Sequence, residues 1–157
     1  MNPEGDIKTY CKEDVEFSYR YSTLPIDEIL IEATFKCKKG NPDKILEERK
    51  KSSQIRKSTQ PLKIRSAGSI FKNPSKKLAA GYLIEKAGLK GINYGGASIS
   101  DKHANFIVNM GNATAADVFH LIILAREKVA EKFNINLELE VKLIGFPEKM
   151  TQEIYYA

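Results

Sequence analysis

The sequence predicts an α+β fold with helices packed on a small sheet, and three observations carry that prediction. Two separated segments, at 28–38 and 137–145, alternate apolar and polar residues with period two. One long segment after residue 114 places its apolar residues at helical spacing behind an N-terminal capping signal. A shorter helical pattern at 76–88 stops at a glycine.

Taken in order, EILIEATFKCK (Glu28 to Lys38) puts Ile29, Ile31, Ala33, Phe35 and Cys37 on one face, the pattern of a half-buried strand. Lys39-Gly40 ends it. Asn41-Pro42-Asp43 then supplies an N-cap, a proline at the first helical position and an early acid, so a charged helix is expected to about Ser58. Residues 59–68, TQPLKIRSAG, read as a connector broken by Pro61 and Gly68, and this is the candidate domain boundary.

Beyond the connector, KKLAAGYLIEKAG carries Leu78, Tyr82, Leu83 and Ala87 near helical spacing, with Gly88 placed to end the helix. Gly91, Gly95 and Gly96 mark a tight connection into short strands near 97–99 and 104–109. Thr114 and Asp117 form a capping box with Asp in the place of Glu. The helix they open bears Val118, Leu121, Ile122, Ala125 and Val129 on one stripe, which reads as core. LELEVKLIG then turns Leu137, Leu139, Val141 and Leu143 one way, and Glu138, Glu140 and Lys142 the other.

Composition bounds the function classes. A chain of 157 residues with 42% hydrophobic and 29% charged residues can bury a core. No apolar run approaches the roughly 20 residues of a membrane helix, and the N-terminus, MNPEGDIKTYCKED, is too polar and acidic for a secretory signal. The expected location is cytoplasmic. Cys11, Cys37, His103 and His120 lack metal-ligand spacing, so no metal is expected. The net charge of +5 suits an anionic ligand. The basic run at 44–65, KILEERKKSSQIRKSTQPLKIR, has no interleaved aromatics and reads as a solvated helix face, not a nucleic-acid surface.

Four places offer chemistry. In GSIFKNP (68–74), Gly68 allows a close backbone approach beside the Ser69 hydroxyl, and Lys72 and Asn73 add a cation and an amide; Ser69 is either a turn residue or a reactive group. In FSYRYS (17–22), Arg20 flanked by Tyr19 and Tyr21 either holds a carboxylate or phosphate through its planar fork or ends a strand. Gly95 to Asn105 could present backbone N–H groups to an anion but lacks any phosphate-loop spacing, and His103 reads as a structural hydrogen-bonder. Glu140 is either solvated or lines a cleft.

The same segments, in order, resemble one family. FSYRYS, QPLKIRSAGSIFKNP, LIEKAGLKGINYGGASISDKHANFIVNMGNATAADV and LELEVKLIG are similar to the C-terminal half of UDP-N-acetylenolpyruvoylglucosamine reductase, the UDP-N-acetylmuramate dehydrogenase or MurB family, in its shorter subtype. The resemblance runs from about residue 6 to 145. It implies reduction of UDP-N-acetylglucosamine enolpyruvate to UDP-N-acetylmuramate in peptidoglycan synthesis, with NADPH and FAD as cofactors. It also implies that Ser69 is the proton donor to the substrate carbanion, that Arg20 is an active-site cation and that Glu140 is the third catalytic residue. Tyr19, Lys72 and Asn73 become substrate contacts.

Family members also carry an N-terminal FAD-binding region to which nothing here corresponds. The resemblance therefore implies a truncated or split arrangement. Residues 1–60 would be the tail of the FAD-binding domain, 61–145 the substrate-binding domain and 146–157 a frayed or short helical tail. The expected partner is a separately encoded FAD-binding half, which would cover Ile29, Ile31 and Phe35. The alternatives are a non-catalytic remnant or a UDP-sugar binding module.

Overall fold

The computed structural model describes residues 1–155, with 152–155 as backbone only. The chain divides into two compact units, Met1–Ile45 and Leu46–Ala157.

The N-terminal unit contains one small hairpin. Strands β1 (Phe17–Ser18) and β2 (Tyr21–Ser22) pair antiparallel, with Phe17 opposite Ser22 and Ser18 opposite Tyr21. A single 3₁₀ turn, Lys12–Asp14, precedes it. None of residues 1–45 is buried.

The strand expected over 28–38 does not form. That segment has no regular structure, and Ile29, Ile31 and Phe35 are 60%, 55% and 80% exposed. Its contact with another stretch of backbone is at Ile29, which exchanges two bonds with Met1, at 2.8 Å from the Ile29 N–H and 2.9 Å from the terminal ammonium. Alternation readies a face for burial, but a strand needs a neighbour along its length and a layer against that face. The described unit supplies neither.

Helix α1 (Pro42–Thr59) matches the expected element. The Asn41 carboxamide oxygen accepts from the N–H groups of Asp43 and Lys44 at 2.9 and 3.2 Å, capping two donors that the first turn leaves unpaired. None of its side chains is buried, as a solvated basic helix requires.

The C-terminal unit holds the core. Strands β3 (Ser66–Ser69), β4 (Asn93–Tyr94), β5 (Ala97–Ile99) and β6 (Phe106–Asn109) form one antiparallel sheet in the order β3-β6-β5-β4. Helix α2 (Ala80–Lys86) packs against helix α3 (Ala115–Phe133), which packs on β4 and β5. Ile70, Phe71, Leu83, Ile84, Ile99, Leu121, Ile122, Val129 and Leu137 are each at most 2% exposed. Each side chain of that size contributes about 1.5–3 kcal/mol on burial.

The helix ends are where the residue types dictate. Gly88, at φ +81°, closes α2: its N–H bonds to Glu85 and the Leu89 N–H to Ile84, at 2.9 and 3.2 Å. Thr114 and Asp117 make the reciprocal box that starts α3, with bonds of 3.1 and 2.9 Å. Of the stripe expected on α3, Leu121, Ile122, Ala125 and Val129 are buried, and Val118 packs partly buried against them.

The segment 137–145 faces as expected, with Leu137 and Leu139 buried, but it does not form a full strand. It joins the sheet through the single bridge Phe71↔Leu139, flanked by bonds of 2.8 Å from Lys72 N–H to Glu138 and from Glu140 N–H to Ile70. Pro74 offers no N–H to extend that pairing. Helix α4 (Glu148–Tyr155) is the expected short helical tail, and residues 156–157 lie outside the described residues. Among the described residues no helix is long and apolar enough to cross a membrane.

Candidate functional site

Ser69 ends β3 on a β-bulge. Ser66 pairs with Val108 and Ser69 with Phe106, so β3 carries one residue more than β6 over that interval. Gly68 absorbs the extra residue at φ +88°. A Cβ built there meets nothing within 4 Å, so the position wants glycine for its backbone conformation and not for lack of room. A bulge re-aims the side chains beyond it, and bulges gather next to active sites for that reason. Here the next two residues, Ile70 and Phe71, are both buried while Ser69 stays half-exposed.

The half-exposed Ser69 borders a groove of about 540 Å³ whose other walls include Arg56, Gln60, Leu62, Arg65 and Phe106. Arg56 and Gln60 stand one turn apart at the end of α1 and bond to each other at 3.3 Å. Among the described residues no acidic side chain lines the groove, so its field favours an anion. Sequence reasoning misses these lining cations because a basic run on a helix looks the same whether it faces solvent or a groove. The spacing of Arg56 and Gln60, four residues apart at the end of the helix that leads through a short connector to Gly68-Ser69, is the signal that could have found them.

Past Ser69 the chain is held from both sides. The Ile70 N–H donates to the Asn105 main-chain carbonyl at 2.9 Å. The Asn105 carboxamide bonds the Phe71 N–H and C=O at 2.9 and 2.8 Å. On the opposite edge the Ile70 carbonyl accepts from Glu140 N–H at 2.8 Å. Two residues far apart in sequence, Ser69 and half-exposed Glu140, thus lie on neighbouring stretches of backbone.

The remaining expected contacts are each engaged locally. Lys72 forms an ion pair with Glu138. The Asn73 carboxamide oxygen accepts from Ala80 N–H at 3.0 Å and so caps α2, whose own N-cap residue, Ala79, has no side-chain acceptor. Tyr19 and Arg20 belong to the N-terminal unit, where they form the turn of the β1–β2 hairpin. Arg20 has φ +57°, an uncommon conformation for a residue with a Cβ, and its guanidinium lies 5.3 Å from the Tyr19 ring centre. Backbone of that kind collects at functional sites.

The glycine pair serves the fold. A Cβ on Gly96 would sit 2.5–2.7 Å from the backbone of Asn112 and Ala113, so only glycine lets these segments touch. The Gly96 N–H donates to Asp117 at 3.2 Å, meeting the protein's own carboxylate where an external anion was conceivable. Main-chain N–H bonds from Thr114 and Gly96 hold the Asp117 carboxyl below its ordinary range. His103 is likewise structural: its Nδ1 accepts from Asn105 N–H at 3.2 Å, and burial pushes the imidazole below its usual range.

Every buried side-chain polar atom among the described residues has a hydrogen-bond partner. The groove at Ser69 is open and mostly polar. These residues can flank a ligand, but they do not build the enclosed cradle that a whole FAD would need.

Residues 60–144 match the family described as UDP-N-acetylenolpyruvoylglucosamine reductase, C-terminal domain. The reductase of that name from Chloroherpeton thalassium is 47% identical over 153 residues, which cover 92% of this chain and 49% of that protein. The one from Anoxybacillus flavithermus is 46% identical over 144 residues, covering 90% and 47%. The crystal structure of UDP-N-acetylenolpyruvylglucosamine reductase (MurB) from Thermus caldophilus superposes with a TM-score of 0.71 at 42% identity, covering 85% of this chain and 47% of that one. The chain spans about half the length of the curated relatives it matches. With an α+β fold, a serine on a glycine bulge and this family match over most of its second unit, the chain belongs to the UDP-N-acetylenolpyruvoylglucosamine reductase family, whose C-terminal domain it carries.

Proposed function

We propose that this chain supplies the substrate side of an FAD- and NADPH-dependent reductase. The reaction is conversion of UDP-N-acetylglucosamine enolpyruvate to UDP-N-acetylmuramate, a cytoplasmic step of peptidoglycan synthesis. Residues 61–145 act as the substrate-binding domain and residues 1–60 as the tail of the FAD-binding domain. The observation that carries this reading is Ser69, presented by the Gly68 bulge beside a groove lined with Arg56 and Arg65.

In this reading FAD, reduced by NADPH, supplies the hydride and is held mainly by the part of the enzyme that this chain does not match. The chain's own residues bind and protonate. Ser69 donates its proton to the carbanionic carbon of the substrate. A serine hydroxyl is a weak acid, so it needs a strongly basic acceptor and a site that quickly returns its proton. Arg20 serves as an active-site cation, offsetting the negative charge that grows on the substrate carboxylate, and Glu140 is the third catalytic residue. Tyr19, Lys72 and Asn73 are secondary contacts. The groove cations suit the diphosphate of a UDP-sugar through bidentate bonds.

The test is reconstitution with an FAD-binding half expressed separately. The reading predicts NADPH oxidation that depends on the enolpyruvyl substrate and needs both halves. A well-folded mixture that stays inactive sinks it. The placement of the groove and the whole buried core in one unit favours a second reading, a UDP-sugar binding module. Calorimetry separates the two: the module binds UDP-N-acetylglucosamine more tightly than UDP with no flavin half present.

A further inference from the structure

Asn105 is 4% exposed, and its carboxamide is devoted to one residue. The Phe71 N–H donates to Oδ1 at 2.9 Å and Nδ2 donates to the Phe71 carbonyl at 2.8 Å, a closed two-bond ring like that between paired strands. The neighbouring Ile70 N–H bonds to the Asn105 main-chain carbonyl at 2.9 Å. Together these bonds carry the β3–β6 pairing past its last regular pair, Ser69↔Phe106.

A side chain does this because the partner backbone has turned away. The Phe106 N–H closes a turn to the His103 carbonyl at 2.9 Å, and the Asn105 N–H bonds to His103 Nδ1. Phe71 is left with a buried donor and a buried acceptor side by side. A carboxamide of this length offers one acceptor and one donor in a single plane without having to bind a proton. An ionised carboxylate of the same shape cannot donate, and alanine would leave both groups unpaired.

Ser69 therefore sits between a bulge on one side and this ring on the other. A bulge interrupts the ladder and does not itself fix the register of the residues beyond it. The ring does. It also steadies Ile70, whose carbonyl accepts from Glu140 N–H.

We propose that Asn105 is a positioning residue for proton delivery, locking the Ile70–Phe71 backbone so that the Ser69 hydroxyl is held at the reacting carbon. This rests on the reading of Ser69 as proton donor. The test uses the reconstituted enzyme and tracks two half-reactions separately by flavin absorbance: reduction by NADPH, and reoxidation by UDP-N-acetylglucosamine enolpyruvate. Asn105→Asp should slow reoxidation about 10- to 100-fold, with kcat falling more than KM rises, because a misplacement near 1 Å has that effect. Reduction by NADPH should stay within about twofold. In a Ser69→Ala background, Asn105→Asp should add less than about twofold, since both changes remove the same step.

Asn105→Gln, which keeps the donor and acceptor but sets them one methylene further out, should fall between wild type and Asn105→Asp, and it guards against misfolding of the first variant. Wild-type reoxidation in a folded variant overturns the proposal, as do effects that multiply in the double variant. Equal loss of both half-reactions, or unfolding of both variants, makes Asn105 a stability residue and also overturns it. Absence of substrate-dependent reoxidation in the wild-type assembly is a different failure, visible before any variant is made. It removes the reductase reading and this proposal with it.

Discussion

The main-chain N–H of Glu140 donates to the carbonyl of Ile70 at 2.8 Å, placing the Glu140 backbone beside the residue that follows Ser69. The contact is antiparallel backbone pairing centred on Phe71↔Leu139, and both of those side chains are buried. Core packing thus decides which stretch of backbone runs beside the residues that follow Ser69. Anything that loosens Phe71 or Leu139 acts on the proposed site through the backbone.

The first prediction concerns the hydroxyl itself. Ser69→Ala in the reconstituted enzyme should leave flavin reduction by NADPH unchanged and slow reoxidation by substrate by about 10²–10⁴-fold, the range of a lost proton donor. Stopped-flow absorbance separates the two rates. Equal slowing of both would remove Ser69 from the chemistry.

Local signals are the ones legible in the sequence. The N-cap at Asn41, the box at Thr114 and Asp117, and the stop at Gly88 are contacts within a few residues, and each is present as expected. Sequence reading fails where a partner from far away has to be chosen. Residues 28–38 and 137–145 both alternate, yet the latter finds Phe71 to bridge with while the former meets Met1 without forming a strand. Asn105 reads as one polar residue in a glycine-rich loop, because nothing local marks an amide that bonds a backbone 34 positions away. Asn73 looks like a ligand contact for the same reason; its bond to Ala80 depends on where α2 begins.

The second prediction tests the bulge. Gly68→Ala should destabilise the chain by about 1–2 kcal/mol, since a Cβ at positive φ is strained whatever space surrounds it. Gly68→Asn should lose less, because asparagine tolerates that conformation better. Urea unfolding measures both. An alanine variant as stable as wild type would mean that the backbone at 68 relaxes freely, and the bulge would then not be what presents Ser69.

The third prediction is a pH dependence. The Asp117 carboxyl is held below its ordinary range by main-chain bonds from Thr114 and Gly96, and next by the Thr114 side chain. A depressed folded-state value means that its stabilisation is complete above the unfolded-state value, near pH 4. The stabilisation is lost as pH falls from there through the folded value. Asp117→Asn should therefore lower stability at neutral pH and make the decline below about pH 4 shallower than in wild type. Thermal melts between pH 2 and pH 7 read this as converging melting temperatures at the acid end. Parallel curves would mean that Asp117 contributes no linked proton.

The fourth prediction asks what covers the alternating segment. In residues 28–38 every second side chain is apolar, and Ile29, Ile31 and Phe35 are at least 55% exposed. A two-sided pattern with one bare apolar face and no strand partner is what strand addition uses: main-chain bonds give affinity and alternate side chains fill pockets. If residues 1–60 form the tail of an FAD-binding domain, the FAD-binding half should dock here. Amide hydrogen exchange on the chain alone should then be fast across 30–38. Ile29, bonded to the Met1 carbonyl, should be slower. Adding the FAD-binding half should slow exchange throughout the segment by at least about tenfold, as expected for amides that join a ladder. Phe35→Glu should weaken association without altering the melting of the core in 46–157, because no core side chain lies in 1–45. Unchanged exchange in an active assembly would place the docking surface elsewhere and leave the alternation of this segment without a partner.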